Sequence, residues 1–68
     1  MAYVRITIDP RMMGGVPCIR NMRMPVATIV GLIAEGASID EVLADHPELV
    51  HEDVREALLY AAHTARRS

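Results

Sequence analysis

Four arginines fall within the first 25 residues. Two of them, Arg20 and Arg23, bracket an asparagine in the run Gly14-Gly15-Val16-Pro17-Cys18-Ile19-Arg20-Asn21-Met22-Arg23-Met24-Pro25. Guanidinium groups set close together on a turn suit phosphate oxygens, which they grip through paired N–H donors in a way lysine cannot match. Arg20 and Arg23, joined by Arg5 and Arg11, are therefore the candidate nucleic-acid contacts. The same donors suit carboxylates of their own chain or of a twin subunit, so a structural role stands beside the binding role.

The carboxylates are concentrated elsewhere. Residues 31–65 hold eight of them against Arg55, a net −7, whereas residues 1–30 carry +3 and the whole chain −2. Such an acidic surface could complement the basic surface of an RNA-cleaving protein and keep RNA from it. A solvated acidic face that keeps a small protein in solution is the plainer alternative. Glu52, Asp53 and Glu56 are the candidate partner-binding charges. Leu59 and Tyr60, which lie off the alanine face of the last helix, are candidate exposed anchors unless they are part of the core. Met12, Met13, Met22 and Met24 cluster in the arm, where methionine more often fills gaps at an interface than binds metal.

Catalysis has little to draw on. His46, His51 and His63 are not spaced i,i+4, Cys18 has no nearby base in sequence, and Ser38 is used as a helix cap. No residue set is singled out as catalytic, metal-binding or cofactor-binding. The chemistry on offer is binding rather than catalysis.

The elements that position these residues follow from pattern. Tyr3 to Ile8 alternates with period two, placing Val4, Ile6 and Ile8 on one face of a half-buried strand that Asp9-Pro10 ends. Val16 to Ile19 suits a second short strand, closing a hairpin around Met12, Met13 and the glycine pair. A lone hairpin is barely stable, so its edges are expected to pair with a second copy of the chain. Asn21 suits a left-handed turn that would project Arg20 and Arg23 outward. Pro25 fits the first turn of a helix that carries Val26, Ile29, Val30 and Ile33 inward as far as Glu35, with Gly36 as its stop. Ser38 and Glu41 form a capping box for a second helix that buries Ile39, Val42 and Leu43 and stops near His46-Pro47. A third helix runs from about His51 to Ala65, with Val54, Ala57, Leu58, Ala61, Ala62 and Ala65 on one face. Val50 at its N-cap is a poor capping residue, a defect worth about 1 kcal/mol that Glu52 and Asp53 partly offset through the helix dipole.

At 68 residues the chain is one domain, 1–25 strand and arm and 26–66 helical, of a size whose core is marginal without a partner. A single cysteine excludes an internal disulfide and fits a reducing cytoplasm. No apolar run approaches a membrane span. The expected fold is mostly α with a short N-terminal strand or hairpin, a three-helix, helix-turn-helix-like domain in a strand-paired homodimer.

Laid out in this way, the chain resembles the domain of unknown function 433 family. The resemblance rests on Ile6 to Pro10, Gly14 to Val26 and Pro47 to Val54. It implies an antitoxin-like protein that pairs with a nuclease toxin resembling a PIN domain, with helices similar to a helix-turn-helix and possible only as a binding protein, not an enzyme. The chain departs from the family pattern at Asn21, where glycine is usual, at Val16, where lysine is common, and at Val50, where threonine is the common cap. The expected function is therefore the antitoxin of a type II toxin–antitoxin pair that silences its nuclease and represses its own operon. The alternative is a stand-alone dimeric DNA-binding regulator.

Overall fold

The computed structural model describes residues 3–20 and 22–66. Two strands, β1 (Ile6–Thr7) and β2 (Cys18–Ile19), precede three helices, α1 (Val26–Ala34), α2 (Ile39–Asp45) and α3 (His51–Arg66). The strands pair antiparallel with Ile6 opposite Ile19 and Thr7 opposite Cys18. On its other side β2 bonds to the segment that leads into α1. Ile19 N–H donates to the Met24 carbonyl and Val26 N–H to the Pro17 carbonyl, each at 2.9 Å, and Cys18 bridges Pro25. The proline-stiffened run is thus the middle of the small sheet rather than a free arm.

The strand expected over residues 3–8 shortens to Ile6–Thr7. Ile6 packs against the core, but Val4 is 90% exposed and Ile8 57% exposed, so the alternation does not translate into a buried face. The cause is local. The Arg5 N–H is drawn to a Glu56 carboxylate oxygen at 2.8 Å, so the chain bends over α3 before β1 begins. Beyond the strand, Asp9 closes a turn on Arg11 and Met12. From there Gly14 and Gly15, at φ 67° and 86°, carry the chain through a single 3₁₀ turn at Met13–Gly15 that most side chains could not follow.

Helix boundaries follow the caps. Pro25 stands just outside α1 in an extended conformation, a position that costs no hydrogen bond because proline has no N–H to lose. Gly36 at φ 108° ends α1, its N–H bonding to the Ile33 carbonyl while the Ala37 N–H bonds to that of Leu32, the paired bonds of a Schellman stop. Ser38 and Glu41 exchange both bonds of the capping box at 3.1 and 2.8 Å. The core forms where β2 and the three helices converge, on Ile19, Val26, Ile29, Val42, Leu49, Val54 and Ala57. Farther along α3, Ala62 and Ala65 are exposed, so the inward face ends near Ala61.

Val50 precedes α3 without a side-chain acceptor, but its own N–H donates to Asp53 Oδ2 at 3.0 Å. Asp53 therefore supplies one half of a capping box, and the other half is lacking. Replacing the half-exposed valine (Val50→Thr) should add that half and raise stability by roughly 0.5–1 kcal/mol. Urea denaturation would read this as a higher midpoint at unchanged slope.

Candidate functional site

The chemistry-bearing residues of the N-terminal third meet α3 at one carboxylate. Asp53 is fully buried on the inward side of the first turn of α3. Its Oδ1 accepts Arg20 Nε at 3.0 Å and Arg5 Nη1 at 3.2 Å, while its Oδ2 accepts Arg20 Nη2 at 2.8 Å and the Val50 N–H at 3.0 Å. Each oxygen thus has two donors, which fills the acceptor capacity of an ionised carboxylate. Arg20 Nη2 also reaches the Glu48 carbonyl at 3.2 Å, so one guanidinium ties the turn after β2 to both the α2–α3 connection and α3. The two-pronged approach of Arg20 is the strong form of this pairing, and lysine could not reproduce it.

Burial pushes the Asp53 carboxyl up, and that is the largest single influence on it. The hydrogen bonds from Arg20, the Val50 N–H and Arg5, with the charge of Arg20, together outweigh burial and hold the group below the ordinary aspartate value. Arg20 is shifted up in turn, chiefly by its hydrogen bond to Asp53. A carboxyl held low in the folded state contributes stability that is complete above its unfolded pKa, about 3.9, and is lost as pH falls through the folded value. The protein should therefore show constant stability from about pH 7 down to about pH 5 and lose it steeply below about pH 4. Thermal melts across that range check this, and Asp53→Asn should flatten the acid limb.

This arrangement corrects the expectation of a cationic arm. Arg20 does not project outward: it folds onto Asp53, and its φ of 42° is the left-handed conformation that aims it there. Arg5 is drawn onto the same carboxylate. Arg11 pairs with Asp9 at 3.3 Å on the surface, where the aspartate is held below its ordinary value mainly by the Arg11 N–H. Arg23, also left-handed at φ 59°, is exposed and makes no ion pair among the described residues. The left-handed turn expected at Asn21 lies outside the described residues.

The expected partner-binding set divides in the same way. Asp53 is buried and cannot touch a partner, because both its oxygens are saturated by its own chain. Glu56 is half-buried and accepts the Arg5 N–H. Glu52 is exposed, 3.8 Å from Arg55. Leu59 is exposed on α3, whereas Tyr60 is half-buried with its ring edge-on to Tyr3 at 5.3 Å. Tyr3 also hydrogen-bonds His63 Nδ1, which fastens the start of the chain along α3.

What remains at the surface is acidic. Asp40, Glu41 and Asp45 on α2, Glu48 in the connection and Glu52 on α3 are all exposed, with Arg55 as their cationic neighbour. Glu41 is held below its ordinary value by the Ser38 N–H and then by the Ser38 hydroxyl, so it stays charged. In a helix-turn-helix, the first turns of the second helix meet DNA, and here those turns bring Glu52 toward phosphates. The face is built to meet positive charge.

Comparison with known proteins gives matches over most of the chain. The profile of the family described as Protein of unknown function (DUF433) matches residues 6–61. The uncharacterized protein y4eO of Sinorhizobium fredii is 36% identical over 56 residues, which are 82% of this chain. The chain spans only 25% of the length of that curated relative. The crystal structure of a DUF433 member protein from Anabaena variabilis superposes with a TM-score of 0.84 at 38% identity, over 93% of this chain and 62% of that one.

Proposed function

The chain belongs to the DUF433 family, and from that premise we propose that it is an antitoxin that binds and silences a PIN-like nuclease. The observation that carries this reading is the exposed acidic face of Asp40, Glu41, Asp45, Glu48 and Glu52. A nuclease must offer a basic surface to hold RNA. A rigid carboxylate cluster that occupies that surface would both bind and exclude substrate. The protein acts by binding and carries out no reaction of its own. The clasp at Asp53 serves the same end, since its bond to the Glu48 carbonyl fixes the α2–α3 connection from which part of the acidic face projects.

Repression of the operon is a second reading, favoured by the exposure of Arg23. With Arg5 and Arg20 neutralised internally, the arm retains few cations for phosphates, so such a contact would be weak and strongly salt-dependent. Co-expression with the product of the neighbouring gene tests the main reading. The expected result is co-purification together with loss of that protein's RNA-cleaving activity. A chain that neither co-purifies with the nuclease nor inhibits it would overturn the proposal.

A further inference from the structure

Helix α1 contains no charged residue, yet of its nine residues only Val26 and Ile29 are buried. A helix apolar on every side is normally covered on every side. Beside it lies an open groove of about 350 Å³ between the start of α1 and the C-terminal half of α3, with Val16, Ala27, Val30, Tyr60, Ala61 and Ala65 among its walls and no charged residue in them. Val16, Ala27 and Ala65 are exposed there.

We propose that this groove and the adjoining face of α1 are where a second copy of the chain docks, forming a two-fold dimer. Charge decides between the surfaces available for self-association. Two copies meeting through α2 and the start of α3 would set five carboxylates against their equals, and like charges brought together cost several kcal/mol. The outer edge of β1 is two residues long and so offers almost no ladder to pair. The face of α1 carries no charge, and a two-fold contact there places like against like without repulsion. Size agrees. A stable interface covers about 800 Å² on each partner, somewhat over a sixth of the 4548 Å² that one chain exposes. That is more than the groove walls alone supply, so the exposed residues Ala27 and Thr28 of α1 belong to the same contact. A core of eight buried apolar side chains also leaves a chain of this size in need of such cover. The dimer leaves the acidic face open and does not depend on the antitoxin reading.

Sedimentation equilibrium of the full chain tests the proposal. Wild type should have twice the monomer mass, and its melting temperature should rise with protein concentration. Ala27→Glu and Ala65→Arg each place a charge at a position exposed in the monomer. Each should raise the dimer dissociation constant by about a hundredfold with an unchanged circular dichroism spectrum, because the charge would be buried without a partner. Val4→Lys beside β1 and Glu52→Lys on the acidic face should leave the dimer intact. A monomeric wild type overturns the proposal, as does a dimer that ignores both groove variants or is broken by Val4→Lys.

Discussion

Asp53→Ala should bring the protein to the edge of unfolding at 25 °C. The substitution removes the acceptor for three guanidinium N–H groups and the Val50 N–H at once. Breaking a buried ion pair by deleting one member typically costs 3–5 kcal/mol. Here the abandoned arginines have side chains 33% and 38% exposed and can regain water, which places the loss near the lower end, at about 3 kcal/mol. A domain of this length has roughly 3–10 kcal/mol in total, so most of its stability goes. Arg20→Ala acts from the other side, leaving a buried carboxylate with Arg5 and one backbone N–H, and should also lower the melting temperature markedly. Arg20→Lys keeps the charge but loses the two-pronged grip, and should fall between wild type and Arg20→Ala. Arg23→Ala should melt like wild type. Urea denaturation of the four variants gives the order directly, and equal stability of Arg20→Ala and Arg23→Ala would contradict the clasp.

The second large effect concerns the proposed partner. Reversing Asp45, Glu48 and Glu52 together (Asp45→Lys, Glu48→Lys, Glu52→Lys) should weaken binding to the co-expressed nuclease by about a thousandfold, roughly 4 kcal/mol. All three side chains are exposed, so the fold should tolerate the change. A lysine at position 45 lies in the last turn of α2, where positive charge is favoured by the helix dipole. Loss of the Glu52–Arg55 pair, 3.8 Å long and on the surface, costs a few tenths of a kcal/mol at most. Part of the loss in affinity should appear as slower association, because opposite charges steer encounter. Surface plasmon resonance on the purified complex separates the two rates. A triple variant that binds as wild type does would remove the acidic face from the mechanism.

How much of this was legible in the sequence depends on how local its cause is. The Ser38–Glu41 box, the Gly36 stop and the extents of the three helices are set by residues within a few positions of one another, and all appear where the pattern places them. The strand at the N-terminus is shorter than its alternation suggests because Glu56, 51 residues from Arg5, claims the Arg5 N–H. Asp53 is the main residue that sequence reasoning misplaced. A carboxylate in the first turn of a helix reads as a solvated partner of the dipole, and the arginines that bury it lie 33 and 48 residues away. A signal was present, since Leu49, Asp53 and Ala57 recur at a spacing of four on the inward side, and all three are buried. An acid on an apolar stripe calls for a cation elsewhere in the chain, and Arg5 and Arg20 were the two that answered it.

The salt dependence of the complex between this chain and the neighbouring gene's nuclease tests the central claim most directly. If exposed carboxylates on α2 and α3 hold a basic surface, the dissociation constant from isothermal titration should rise by at least about tenfold between 0.05 and 0.5 M sodium chloride. An affinity unchanged over that range, or tighter binding to the duplex upstream of the gene than to the nuclease, would contradict it.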